Sequence, residues 1–322
     1  ANAFVDGGRN FVGAGSETEP VVKLYDMASG KTESLNDCPG GMMSLIPVPG
    51  QPRNLVSVMG LFPPFLGKGA GLFSHQKKGD SWETSRAMDL PFAHRCEFLP
   101  ASEKNILIAA SVSKFKENPA DWSKPGELYA IRMGEEGFPS WRAEVIDSSI
   151  IRNHGMGRYQ VDGEEVLCVS GVEGIFSITP GASGSLRLNP LFQKEVSELS
   201  FIDLDGDGQS ELITIEPFHG NVLNMYKRVN GDWKLKFSAH LSFGHGLSSG
   251  LFNGAPVVLA GNRRDSMNLE MFTVNNLDKD LVDKHVIEEG AGPTQNQVFS
   301  FEGRDFLLSA NQKKIEIDLY SG

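Results

Sequence analysis

Short apolar runs, several alternating with polar residues, are broken by glycine-rich turns along the whole chain, and no long segment of helical period interrupts them. The clearest stretch is Phe201-Ile202-Asp203-Leu204-Asp205-Gly206-Asp207-Gly208-Gln209-Ser210-Glu211-Leu212-Ile213-Thr214-Ile215, in which two strand-like runs flank an acidic turn. Asn221–Arg228 then reads as a third strand and Trp233–His240 as a fourth, joined by the turn Val229-Asn230-Gly231-Asp232. Four antiparallel strands in about 45 residues is the size of one propeller blade.

The unit repeats. His154-Gly155 stands nine residues before Gly163, as His245-Gly246 stands nine before Gly254, and a strand follows each of those glycines. Near the C-terminus, Asn296–Phe306 lines up with Ala1–Phe11, and Ile315–Tyr320 lines up with Val21–Tyr25. First strands then begin near residues 1, 42, 94, 154, 197, 245 and 295. The expectation is an all-β, single-domain, seven-bladed β-propeller of four-stranded antiparallel blades. Its blades span approximately 1–38, 39–90, 91–147, 148–195, 196–240, 241–288 and 289–322, the last one short of a fourth strand. A pair of β-sandwiches or a solenoid of hairpins also suits many short strands. Neither explains why the first and last units resemble each other, whereas a ring sets them side by side.

Thirty-six glycines and seventeen prolines suit this turn-rich architecture. A net charge of −11 without a Lys/Arg cluster argues against nucleic acid and anionic membrane as partners. No apolar run approaches the roughly 18 residues that span a bilayer, and no signal-peptide core is present, although the chain opens at Ala1 and can be a trimmed one. Cys38, Cys96 and Cys168 are sparse and odd in number, so they are expected to be reduced and buried, and the chain has no Asn-x-Ser/Thr sequon. Both features lean towards a cytoplasmic location.

The acidic turn has its own chemistry. Asp203, Asp205 and Asp207 converge only if the backbone curls tightly, which Gly206 and Gly208 permit; the Gln209 carbonyl and the Glu211 carboxylate then complete an oxygen cage for a hard cation. An EF-hand closes on a glutamate at position 12 between helices, whereas this loop closes at position nine and runs into a strand. A calcium-type turn in a β-hairpin is expected, against the alternative of a solvated acidic turn. Asp203-x-Asp205-Gly206-Asp207-Gly208-x-x-Glu211-Leu212 resembles the calcium loop of FG-GAP/VCBS repeats, the propeller repeats of integrin α-subunits and many bacterial carbohydrate-active proteins. The motif is clear in one blade only. The whole-chain pattern, with histidines at the start of first strands, resembles the propeller of fungal aldos-2-ulose dehydratase and its bacterial single-propeller relatives. That resemblance implies removal of water from keto sugars such as 1,5-anhydrofructose.

In a propeller the first strand lines the central channel, and the turn between first and second strands lies on the face opposite its start. The acidic loop thereby becomes a structural staple, and chemistry is sought at the blade starts. His94, His154 and His245 open three first strands and form a set suited to a divalent transition metal, Zn²⁺, Mn²⁺ or Fe²⁺, with Gln295 as a further ligand and Glu198 in a similar place. Loops after second strands add His219 as a general acid or base, Glu216 beside it, and Arg263 to clamp a carbonyl or enolate oxygen. Asn262, Lys313 and Trp122 are expected to bind substrate, with Phe62 and Phe65 as further apolar walls. For any single histidine a satisfied interior role is the plainer reading, and His75, His240 and His285 are given that role. Ion pairing in a solvated loop is the plainer reading of Arg264.

No Gly-x-Ser-x-Gly elbow, phosphate loop, Cys-x-x-Cys pair or dinucleotide fingerprint is present. The expected activity is a metal-assisted lyase on a small carbohydrate-type substrate, by proton abstraction beside a carbonyl and β-elimination; an isomerase or epimerase would share the enolate. The competing class is a non-catalytic carbohydrate- or protein-binding propeller, and a third is a scaffold subunit with a stable partner.

Overall fold

Apolar side chains placed two residues apart can bury one face of a strand against its neighbours, and the chain forms twenty-seven strands among the described residues. The computed structural model describes residues 1–62, 67–100, 105–133, 141–181 and 184–322. Besides strands, the described residues include a turn of 3-10 helix, Leu277–Lys279, capped by the Asn276 side chain.

The strands pair in chain order into seven antiparallel sheets. The first holds β1 (Asn2–Asp6), β2 (Arg9–Gly15), β3 (Val22–Asp26) and β4 (Thr32–Leu35); the second holds β5 (Ser44–Pro47), β6 (Asn54–Met59), β7 (Gly71–Lys78) and β8 (Ser81–Asp89). The third holds β9 (Ala93–Phe98), β10 (Ile106–Ser111), β11 (Leu128–Arg132) and β12 (Arg142–Asp147), and the fourth β13 (Met156–Val161), β14 (Glu164–Gly171), β15 (Gly174–Pro180) and β16 (Leu186–Phe192). β17 (Glu198–Ile202), β18 (Glu211–Glu216), β19 (Val222–Val229) and β20 (Asp232–His240) make the fifth. β21 (Gly244–Phe252), β22 (Ala255–Asn262), β23 (Leu269–Asn276) and β24 (Leu281–Glu288) make the sixth. The seventh has three strands, β25 (Pro293–Phe301), β26 (Arg304–Asn311) and β27 (Glu316–Ser321). This is an all-β seven-bladed propeller.

Internal contacts group the chain into two compact units, Ala1–Gly157 with Ser177–Asn189, and Arg158–Phe176 with Pro190–Gly322. Within each, cores form between neighbouring sheets. In the first unit Phe11, Leu24, Leu45 and Leu55 pack blade one on blade two, and Val56, Leu72, Phe98 and Leu107 pack blade two on blade three. In the second, Ile213, Met225, Val258 and Phe272 join blades five and six, and Val257, Leu269, Val298 and Leu307 join six and seven. Fourth strands such as β12 and β20 stay largely exposed. That gradient is why the inner strands read as continuous apolar runs and the outer ones as mixed.

Turn chemistry sets the hairpins. The turn Val229-Asn230-Gly231-Asp232 closes as the sequence suggested, with Val229 opposite Asp232 and with Asn230 and Gly231 at positive φ (53° and 88°). Such a two-residue primed turn matches strand twist. Cys38, Cys96 and Cys168 are free and buried. His75 lies in β7, His240 ends β20 and His285 lies in β24, so all three fall in third or fourth strands. Of the loop after β6, Pro63 to Leu66, Phe65 included, lie outside the described residues. No helix among the described residues is long and apolar enough to cross a membrane.

Candidate functional site

In the second unit the acidic turn is the loop between β17 and β18, with Gly206 and Gly208 at φ 76° and 85°. Asp203 holds the curl: its two oxygens accept the Gly206 and Gly208 amides at 2.7 and 2.9 Å. Asp207 accepts the Gln209 amide at 2.8 Å. Ligand oxygens of Asp203, Asp205 and Glu211 lie within 4.8 Å of one another. Glu211 is 1% exposed; its Oε2 accepts the Leu204 amide at 2.6 Å, and its Oε1 meets no donor among the described residues. Burial therefore pushes its carboxyl up to about 7 despite that amide. The Lys227 ammonium reaches in from β19 to Asp205 and, at 3.0 Å, to Asp207.

The donor set fits a hard divalent cation. A carboxylate oxygen buried without a partner is destabilising by about 1–3 kcal/mol unless something positive meets it. Of the five ligands expected from the sequence, Asp203, Asp205 and Glu211 are the ones whose oxygens come together, and these would hold the cation. The register made Lys227 foreseeable: Leu212 pairs with Tyr226, so the next step sets Glu211 level with Lys227. Beside the loop, a cavity of about 630 Å³ is lined by Asp203 to Asp207, Leu251, Pro256, Val274 and Asn275 to Asp278.

The loop after β18 returns to the start end of that blade. The Glu216–Pro217 peptide is cis and His219 sits at φ 47°, with its amide bonded to Ser197 Oγ at 3.1 Å. The His219 ring stacks on Phe218 at 4.0 Å and lies 4.8 Å from Phe243 and 5.0 Å from His245. His219 and His245, far apart in sequence, are thus brought together. Glu216 is turned to its own sheet, accepting the Thr214 hydroxyl at 2.6 Å and the Tyr226 hydroxyl at 2.9 Å.

His245 is 8% exposed, and its Nδ1 lies 2.5 Å from the Thr294 carbonyl oxygen. A carbonyl only accepts, so Nδ1 carries a proton, and in the neutral ring Nε2 is then the nitrogen suited to a metal ligand or a base. The ladder slips at this place: β21 skips Gly246, and β25 skips Thr294. In the first unit β9 skips His94 itself. A bulge re-aims the side chain it carries, and it recurs at three blade starts. Gln295, opposite Ala310, stands where His245 stands opposite Gly261.

In the first unit His94 (9% exposed) and His154 (2% exposed) are brought together, with ring centroids 4.4 Å apart. Asn153, next to His154, is 1% exposed, and neither atom of its carboxamide finds a partner among the described residues. An Asn before His-Gly reads as an ordinary turn residue, so sequence reasoning passed over it. Trp122 lies under Lys116, whose ammonium is 3.2 Å from the indole centroid and donates to the Pro119 carbonyl at 2.6 Å.

Asn262 and Arg263 are held by their own unit. The Asn262 carboxamide accepts the Ser242 amide at 2.6 Å and donates to the Asn268 carbonyl at 3.3 Å. That braces the loop and leaves Asn262 a positioning role. Arg263 bonds Gln312 and lies 5.9 Å from the Phe243 centroid, with Arg264 over the same ring at 4.6 Å. Lys313 is exposed and packs beside Gly292. Glu198 is buried in β17.

No family model matches the chain, and no curated protein matches it. Solved structures do. The β-propeller domain of Cps50 (Swd1) from Myceliophteria thermophila is similar with a TM-score of 0.59 at 12% identity, covering 99% of this chain and 96% of that one. A Bacteroides fragilis protein provisionally named a 6-phosphogluconolactonase gives 0.57 at 13% identity over 93% and 85% of the two chains. A Lactobacillus plantarum protein gives 0.54 at 11% identity over 93% and 90%. At such identities the likeness is one of fold, and the fold it shows is the β-propeller.

Proposed function

We propose that the protein is a metal-dependent lyase that removes water from a keto sugar or glycoside derivative. Its blade-start histidines His94, His154 and His245, with Gln295, would hold a divalent zinc, manganese or iron ion. The observation that carries the reading is the Thr294–His245 hydrogen bond, which places a proton on Nδ1 of a buried ring beside the bulge at Gly246 and so suits Nε2 of the neutral ring to a metal. The close His94–His154 pair adds to it. First strands of all blades surround one channel in this fold, so blade-start histidines suit a shared task. The likeness of the histidine pattern to aldos-2-ulose dehydratase supports the same reading, whereas the likeness of the Asp203–Glu211 loop to FG-GAP/VCBS calcium loops goes with the non-catalytic alternative. A fold neighbour provisionally named a 6-phosphogluconolactonase agrees with a sugar-derived substrate.

The ion, when bound, would polarise the substrate carbonyl and acidify the adjacent C–H. His219, wedged between Phe218 and Phe243, takes that proton on its ring nitrogen. Arg263 steadies the developing oxyanion. The β C–O bond then breaks, and the leaving hydroxyl takes the proton from His219 and departs as water, which returns the imidazole to its starting form. Asn153, whose carboxamide meets no partner among the described residues, would bind a sugar hydroxyl, and Trp122 and Lys313 would add substrate contacts.

The test is turnover of 1,5-anhydrofructose and related keto sugars by the native chain and by His154→Ala and His219→Ala. Loss of metal and turnover in the first, and of turnover alone in the second, supports the lyase. Unchanged metal and activity in both contradicts it, and calcium as the sole metal favours the non-catalytic carbohydrate- or protein-binding reading.

A further inference from the structure

Arg264 lacks the ion pair that its place beside Asp265 suggests. Asp265 instead accepts the Ser242 hydroxyl, and no carboxylate pairs with Arg264 among the described residues. The exposed Arg264 guanidinium lies 4.6 Å from the Phe243 ring centroid. The Phe243 ring in turn lies 4.8 Å from that of His219, and His219 lies 5.0 Å from His245. A second cation, Lys313, is also exposed and without an ion pair among the described residues. We propose that Arg264 and Lys313 bind an acidic group of the substrate, a carboxylate or a phosphate, so that the keto sugar is an anionic one. The proposal names the substrate class of the histidine site and rests on the reading of that site as a keto-sugar lyase.

Main-chain bonds hold the two cations on adjoining loops of blades six and seven. The Arg263 and Arg264 amides both donate to the Ser242 carbonyl at 3.2 Å, and the Met267 amide donates to the Arg264 carbonyl at 3.0 Å. The Gly292 amide donates to the Met267 carbonyl at 2.8 Å, and the Lys313 amide to the Ala291 carbonyl at 3.2 Å. Arg263 spans the same two loops by bonding Gln312, a neutral partner.

A guanidinium held over an aromatic ring has less freedom to lose on binding, and its planar fork matches a carboxylate or a phosphate. The chain as a whole repels anions, with 41 acids to 30 bases. Cations without carboxylate partners beside the His219–His245 pair reverse that field locally, which would draw an anion to this end of the blades. A neutral sugar would use neither charge.

The probes are D-fructose, D-fructuronate and D-fructose 6-phosphate, keto sugars that differ only at the sixth carbon, which carries a hydroxyl, a carboxylate or a phosphate ester. Dissociation constants are read by isothermal titration calorimetry on the native chain, Arg264→Ala, Arg264→Lys and Lys313→Ala. The expected result is that one anion binds the native chain about tenfold or more tighter than fructose, fructuronate marking a carboxylate site and fructose 6-phosphate a phosphate site. Arg264→Ala and Lys313→Ala should each shrink that preference, and Arg264→Lys should keep more of it than Arg264→Ala. Equal binding of the three probes, binding of none, or a preference that persists in both alanine variants would overturn the proposal. Both side chains are exposed, and unchanged melting temperatures of the variants separate lost binding from lost fold. Turnover of the same probes keeps the two readings apart: an anion preference without turnover contradicts the lyase and leaves the anion site standing, whereas turnover without an anion preference does the reverse.

Discussion

Glu33 shows what a single carboxylate does in this fold. Burial works against its charge, but the Lys77 ammonium at 2.7 Å, the Trp82 indole N–H at 2.7 Å and the Arg53 guanidinium at 2.8 Å outweigh it and hold its pKa at about 2. A depressed carboxylate stabilises the fold fully above its ordinary value of 4.5 and loses that contribution as pH falls towards about 2. We expect Glu33→Gln to cost about 2–3 kcal/mol at neutral pH and to flatten the decline in denaturation midpoint across that window. Four residues from three strands and a turn make this cluster, so no local pattern announced it. Glu211 behaves in the opposite way, being buried without enough positive charge. If calcium binds there, excess ion raises the melting temperature of the native chain by an amount equivalent to about 2.7 kcal/mol at a hundredfold excess over Kd. Glu211→Gln is expected to remove that response while melting no lower than the native chain in chelator, as differential scanning calorimetry would show.

Elements were legible wherever turn residues punctuate them. Gly163, Gly254 and Gly303 mark the first-hairpin turns, and the phase they set brought His154 and His245 into register. The bulges at His94, Gly246 and Thr294 were not legible, because a one-residue slip between strands leaves no mark in either strand's own alternation. Of the blade-start histidines, His94 is itself the bulged residue and His245 stands next to one. Two glycines of different kinds test this picture of the elements. Gly231 has φ 88° and open space around a would-be Cβ, so Gly231→Ala is expected to cost only the conformational strain, about 1 kcal/mol. At Gly126 a Cβ would fall 1.8 Å from the Ser111 carbonyl oxygen, which is rigid backbone. Gly126→Ala should therefore cost clearly more than Gly231→Ala in the same urea titration.

At the scale of the whole molecule, the repeat of about 46 residues made the propeller readable before any contact was known, since no other arrangement explains a first unit that resembles the last. Function was less readable. Fold neighbours at 11–13% identity share the architecture and leave the chemistry to the side chains of this chain. Those side chains include an acidic loop at one end of blade five, for which calcium is proposed, and histidines at the blade starts, for which a transition metal is proposed. Elemental analysis of the purified native chain, His154→Ala and His245→Ala separates them directly. The account predicts a transition metal in the native chain that both variants lose while any calcium at Asp203–Glu211 stays. Calcium alone, or a transition metal that persists in both variants, would contradict it.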